Sequence, residues 1–168
     1  MKLTIRPAVR ADAETLARIH CDSWAAAYRG LMPEAFLAEW TDPAMRTELW
    51  RSRLSTGDGE HFLCLSDGQA AGFFSLAAPD DDLEGTVREL RAIYLLPDWW
   101  GRGIGGAAME FILSHARAQG YTALSLWVLR DNARAVRFYR RHGFSPDGQA
   151  KTLAAEAPVL VERYLKRL

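Results

Sequence analysis

Leu95-Leu96-Pro97-Asp98-Trp99-Trp100-Gly101-Arg102-Gly103-Ile104-Gly105-Gly106 is the stretch on which the reading of this chain turns. An apolar run leads in, four glycines follow within residues 101–106, and Ala107-Ala108-Met109-Glu110-Phe111-Ile112-Leu113 continues as a helix. Glycine lets the backbone turn tightly and lets a bulky anion approach with no Cβ in the way. A helix start adds unpaired N–H groups and a partial positive charge, so loop and helix together predict a phosphate site. Which phosphate-bearing molecule it holds depends on the surroundings of the loop.

On either side of the loop, residues 86–96 read as the strand before it and 104–119 as the helix after it, ended by Gly120. Downstream come a strand over 123–129, a helix over 132–142 ending at Gly143, and strands near Phe144 and over 159–165. Upstream, residues 2–6 form a short strand ended by Pro7. Asp12 then stands as N-cap of a helix to about Tyr28, with Leu16, Ile19, Ser23 and Ala27 on one face. Gly30 stops that helix, Pro33 begins a second through Trp40, and Asp42-Pro43 begins a third through Leu54. After the turn cluster Ser55-Thr56-Gly57-Asp58-Gly59, strands over 61–65 and 70–77 flank a hairpin turn at Asp67-Gly68. Asp80, Asp81, Asp82 and Glu84 read as a solvated loop. The order of elements is an α/β pattern within one domain spanning 1–168.

Composition narrows the function classes. Lys+Arg and Asp+Glu both number 21, so no net charge draws nucleic acid or a membrane surface. No run reaches transmembrane length, and the start of the chain lacks a signal-peptide apolar region. The two cysteines, Cys21 and Cys64, have no metal-site spacing and fit buried thiols in a reducing cytoplasm. His20, His61, His115 and His142 are scattered, so no metal site is expected.

Three phosphate loops compete. A nucleotide P-loop needs Lys-Ser/Thr after its glycines, and Ala107-Ala108 stands there instead. A dinucleotide fingerprint is satisfied literally by Gly101, Gly103 and Gly106, with Asp131 after the next strand in the place of a ribose-binding acid. Against it, Pro97-Asp98-Trp99-Trp100 separates the strand from the first glycine, and too little chain follows Asp131 for the remaining βαβ units. The third reading is a resemblance. Trp100-Gly101-Arg102-Gly103-Ile104-Gly105 resembles the pyrophosphate loop Arg/Gln-x-x-Gly-x-Gly/Ala of the GNAT superfamily of acyl-CoA-dependent N-acetyltransferases. Ile93-Tyr94-Leu95-Leu96-Pro97 resembles that family's strand and following proline. Residues 132–144, from Asn132-Ala133-Arg134-Ala135 through Phe138-Tyr139 to Gly143-Phe144, resemble its second signature, Asn-x-x-Ala-x-x-Phe/Leu-Tyr-x-x-x-Gly-Phe. Trp100 departs from the pattern, which usually has Arg or Gln there; the family's loop holds pyrophosphate mainly through backbone N–H groups, so one side-chain contact is removed.

The resemblance implies an α/β (α+β) fold with a mixed, largely antiparallel central sheet of six to seven strands flanked by helices. It implies acetyl-CoA as co-substrate beside Ile93, Tyr94 and Leu95 of the strand and Trp100, Gly101, Arg102, Gly103, Ile104, Gly105 and Gly106 of the loop. It also implies Asn132 on the pantetheine arm, Tyr139 as the acid that protonates the coenzyme sulfur, and a dimer through the C-terminal strands.

The chemistry of such a protein is acyl transfer from a thioester to an amine, which must first lose a proton. Asn132 and Tyr139 lie two turns apart on one helix face. Glu89, on the strand leading to the loop, is the candidate base acting through water; alternation places it with Arg91 and Ile93, opposite Leu90, Ala92 and Tyr94. A surface pair with Arg91 or Arg88 is the competing role for Glu89. Arg130, Arg134, Arg137 and Arg141 form a helical stripe, of which Arg134 and Arg137 are candidates for the adenosine 3′-phosphate. His20, Trp24 and Tyr28 share a face of the first helix, and Trp24 and Tyr28 are expected to wall the site of a small-molecule amine, since aromatic faces attract cations. No Cys or Ser stands in a nucleophile context, so direct attack of the amine is expected. A non-catalytic acyl-CoA-binding module and a dinucleotide enzyme are the alternatives.

Overall fold

Short runs of alternating and fully apolar residues, broken by Gly, Pro and Asp clusters, give seven strands: β1 (Leu3–Pro7), β2 (Glu60–Ser66), β3 (Gln69–Ala77), β4 (Val87–Leu95), β5 (Ala123–Leu129), β6 (Ser145–Thr152) and β7 (Leu160–Arg167). The helices are α1 (Ala13–Tyr28), α2 (Glu34–Trp40), α3 (Pro43–Thr56), α4 (Ile104–Ala118) and α5 (Ala133–Arg141). These come from a computed structural model that describes residues 2–83 and 85–168; Glu84 of the expected acidic loop lies outside the described residues. One sheet holds all seven strands in the order β1-β2-β3-β4-β5-β7-β6, antiparallel throughout except between β4 and β5. The mixed, largely antiparallel sheet is the one the sequence implied. Among the described residues no helix is long and apolar enough to cross a membrane.

Both faces of the sheet are covered. On one, Ile104, Ala108, Met109, Ile112 and Ala116 of α4 bury against Phe62, Phe74, Leu76, Leu90, Leu124 and Leu126. On the other, Leu16 and Ile19 of α1 and Trp50 of α3 bury against Leu63 and Phe73. Local signals account for the third helix in full: Asp42 accepts from Met45 N at 2.7 Å, Pro43 takes the first helical position, and Gly57 closes the helix at φ 69°.

Two expectations are corrected. Asp12 precedes α1 but does not cap it. Its carboxylate accepts from Arg6 at 2.7 and 2.8 Å and from Val9 N at 2.8 Å, because a short 3-10 turn over Arg10–Asp12 turns it back toward β1. The second correction concerns β4. Its partners on β3 run from Ser75↔Ala92 to Leu76↔Leu90, so Arg91 is an extra residue, a β-bulge. Strict alternation therefore fails across it. Leu90, Ile93 and Leu95 share the α4 face, while Ala92 and Tyr94 pack with α1 and α3. Ile93 thus stands on the face of Leu90, and Glu89, which precedes Leu90, stands on the face of Ala92 and Tyr94. A bulge re-aims side chains without any change in composition, which is why periodicity missed it.

Candidate active site

The parallel pair β4–β5 is short. Val87, Arg88 and Glu89 pair with Ala123, Leu124 and Ser125, and then the strands part. Beyond the fork β5 is held by β7 as far as Leu129, and β4 by β3 as far as Leu95, so a wedge opens between them. The facing backbone groups of β4 from Leu90 onward have no strand partner on that side. A bound chain of amides could supply what the ladder lacks.

The glycine loop closes the mouth of this wedge. A 3-10 turn over Pro97–Trp99 leads from the strand, Gly101 (φ 72°) and Gly103 (φ 81°) turn through the left-handed region, and Gly103 precedes α4 as its N-cap. The first helical bond runs from Ala107 N to Gly103 O at 3.1 Å, leaving the N–H groups of Ile104, Gly105 and Gly106 at an open helix start. A Cβ at Gly101, Gly103 or Gly106 would meet nothing within 4 Å, so that space is free for an anion. Gly105 serves packing instead. A Cβ there would stand 3.4 Å from Phe138 and 3.6 Å from Leu95, so its absence lets α4 sit close against α5 and β4. The surroundings fit a phosphate group approached by backbone amides.

Trp100 takes a role the sequence did not show. Its indole Nε1 donates to Leu95 O at 2.8 Å, tying the loop to the strand end. Arg134 of α5 lies over the ring, its Cζ 3.4 Å from the centroid, and burial lowers the Arg134 pKa. Arg102 lies over Trp99 at 5.1 Å. Elsewhere on the stripe, Arg130 pairs with Glu162 at 2.9 Å, and Arg137 and Arg141 are exposed. The structure thus brings Arg134 to the loop and leaves Arg137 on the outer side of α5.

Asn132 caps α5, its Oδ1 accepting from Ala135 N at 3.2 Å, and among the described residues its amide NH2 has no acceptor. Tyr139 follows on that helix among Phe138 and Phe144. Burial holds its hydroxyl well above the usual phenol range, and neighbouring Tyr94 adds to the effect. It therefore stays protonated at neutral pH, as a proton donor must.

Glu89 sits at the last rung of the fork, opposite Ser125 and only 8 % exposed. Burial raises its pKa first of all, Arg91 opposes this, and Asp80 and Asp81 reinforce it. The competing surface pair is weak. Arg91 Nε is 3.7 Å from Glu89 and its shorter bonds go to Asp80 at 2.9 Å and Ala78 O at 3.1 Å, while Arg88 turns to Glu60 at 2.8 Å. A carboxylate partly stripped of water and without a strong partner is a usable base.

An aromatic wall stands on the α1 side of β4. The Trp24 and Tyr28 rings meet edge-on at 5.2 Å, and the Tyr28 hydroxyl lies 3.4 Å from that of Tyr94. His20, buried with both nitrogens unpartnered, fills the space between Trp24, Tyr94 and Phe73. Tyr94, expected beside the coenzyme, sends its side chain into this wall. Arg46 of α3 completes the wall, its Cζ 5.0 Å from the Trp24 ring and 5.1 Å from that of Trp40. Neither Arg46 nor Trp40 carried a sequence signal, because the three helices that bring them to Trp24 meet only in the folded chain.

Known proteins resemble this chain in sequence and in fold. Residues 23–144 match the Acetyltransferase (GNAT) family. The chain is 30 % identical over 154 residues to the uncharacterized N-acetyltransferase YuaI of Bacillus subtilis, covering 89 % of this chain and 83 % of that protein. It is 32 % identical over 146 residues to an aminoglycoside N(6')-acetyltransferase type 1 of Stenotrophomonas maltophilia, covering 84 % and 85 % of the two chains. In fold it resembles the PaiA N-acetyltransferase of Thermoplasma acidophilum in complex with coenzyme A, with TM-score 0.78 and 22 % identity over 100 % of both chains. The chain belongs to the GNAT acetyltransferase family and is an acyl-CoA-dependent N-acetyltransferase.

Proposed function

We propose that the whole chain, acting as one domain, transfers the acetyl group of acetyl-CoA to the primary amine of a small molecule by direct attack. The observation that carries the reading is the fork itself. It places buried Glu89 at its apex, the open α4 start at its mouth and the protonated Tyr139 on the helix that follows β5. Acetyl-CoA supplies the thioester; the rest is done by side chains of this protein. The amides of Ile104, Gly105 and Gly106 hold the pyrophosphate, with Gly101, Arg102, Gly103 and Trp100 shaping the loop. Residues Ile93, Tyr94 and Leu95 offer backbone groups to the pantetheine arm, and the Asn132 amide reaches it from α5. Arg134, held over the Trp100 ring, faces the adenosine phosphate. Trp24 and Tyr28 hold the amine against the sheet.

As the amine nitrogen bonds to the acetyl carbon, Glu89 takes its proton through a water. As the carbon–sulfur bond breaks, the Tyr139 hydroxyl gives its proton to the departing sulfur. Release of free thiol in the presence of a panel of small amines tests the reading. Tyr139→Phe should lower kcat by about 100-fold or more while coenzyme A still binds. Full turnover in that variant would remove Tyr139 from the acid role, and binding of coenzyme A with no turnover of any amine would favour an acyl-CoA-binding module instead. The exposed outer strand β6 supports pairing of two copies through the C-terminal strands, which sedimentation would detect.

A further inference from the structure

Arg46 is buried to 3 % exposure, yet among the described residues it has no carboxylate within 4.0 Å. Its Nε donates to Trp40 O at 2.6 Å, and its buried Nη2 has no acceptor. Its position makes the charge harder to explain as a support for the fold. Arg46 lies in the first turn of α3, where the helix dipole disfavours a cation, and its backbone N–H closes on Asp42 O at 3.0 Å. Cation–π contact with Trp24 and Trp40 offsets part of the desolvation, but beyond the Nε bond it gives the buried Nη2 nothing to donate to. A planar fork in an aromatic box is the arrangement that receives a carboxylate through two parallel bonds.

We infer that Arg46 anchors a carboxylate carried by the acceptor, so that the amines this enzyme acetylates are amino carboxylates. The inference rests on the amine-acetylating reading above and names its substrate class. Trp24 links the two ends of the acceptor site, touching Arg46 on one side and Tyr28 on the other, with the Tyr28 and Tyr94 hydroxyls beyond. The carboxylate binds at the guanidinium and the amine lies toward β4. Trp40, only partly buried at the end of the seven-residue α2, lies over the guanidinium, and its side chain is the one that turns aside to admit the carboxylate.

The test pairs α-, β- and γ-amino acids with their own carboxamides and follows thiol release from acetyl-CoA. In the unaltered enzyme at least one pair should favour the acid over the amide by about 10- to 100-fold in kcat/KM, the worth of a charged hydrogen-bonded pair. Arg46→Gln should bring that ratio close to one, and Arg46→Lys, which keeps the charge but not the fork, should leave it between the two. If Arg46→Gln does not fold, as melting would show, the Arg46→Lys ratio decides. Des-amino carboxylates of the preferred length should inhibit the unaltered enzyme competitively against the amine and lose that inhibition in the variant. Equal rates for acids and carboxamides overturn the inference and leave acetyl transfer standing. If no amine releases thiol, the acetyl-transfer reading fails. A melting shift of the unaltered protein with the same carboxylates then decides for or against Arg46 alone.

Discussion

Replacing Glu89 by Gln should move activity and stability in opposite directions. The side chain keeps its shape and one hydrogen-bond acceptor but can no longer take a proton. Because Arg91 stands 3.7 Å away, beyond hydrogen-bond reach, and is engaged by Asp80 at 2.9 Å, it offsets the burial of the carboxylate only in part. The full general-base contribution is therefore at stake, a loss of about 100- to 10,000-fold in kcat. Burial raises the Glu89 pKa, so the acid limb of kcat/KM should fall above the usual glutamate value of about 4.3 and vanish in the variant. The same shift sets the sign for stability. With the folded pKa raised, the folded state binds the proton more tightly, and stability falls as pH rises from the unfolded to the folded pKa. A neutral Gln escapes that loss, so Glu89→Gln should melt higher than the parent at pH 7. Steady-state thiol release across pH, beside thermal melting of both proteins, measures all three. An unchanged rate, a surviving acid limb, or a drop in melting temperature that accounts for the lost activity would overturn the assignment of Glu89 as base.

Asp12→Asn removes the charge from a carboxylate held below its usual pKa chiefly by its hydrogen bonds to Arg6. That stabilisation is present above the unfolded pKa and lost as pH falls through the folded one, so denaturant unfolding should show a deficit of about 1–3 kcal/mol at pH 7 that closes in acid. Gly72→Ala drives a Cβ into the Tyr94 carbonyl and the Leu95 side chain, and overpacking of this kind should destabilise by about 1–3 kcal/mol and weaken coenzyme binding through displaced β4, both measurable by melting with and without coenzyme A. Trp100→Phe keeps a ring beneath Arg134 but loses the bond to Leu95 O, which should cost about 1 kcal/mol of stability and raise the Kd for coenzyme A measured by calorimetry.

Much of this protein is legible along the chain because the signals are local. Asp42-Pro43 and Gly57 bound α3, Gly103 and the apolar spacing that follows start α4, and Asn132 begins α5. The glycine loop likewise announces a phosphate site, since backbone turns and helix starts depend on neighbours a few residues away, and together with the Asn132–Tyr139 helix it carries the family resemblance that implies a coenzyme. The features that escape are those created by long-range packing. The bulge at Arg91 leaves composition and local spacing untouched, yet it moves Ile93 to the α4 face and leaves Glu89 beside Ala92 and Tyr94. Asp12 looks like a cap in sequence, but Arg6 of β1 and the backbone of Val9 claim its carboxylate.

Residues adjacent along the chain are enough to predict a phosphate site at a glycine-rich helix start, because a left-handed turn and an uncapped helix depend on a few neighbours. Folding alone sets where β4 and β5 part, which face Glu89 takes, that Trp100 is tied to Leu95 and covered by Arg134, and that Arg46 is enclosed with Trp24 and Trp40. Those outcomes depend on strand register and on helices distant in sequence, and neither is encoded by spacing along one element.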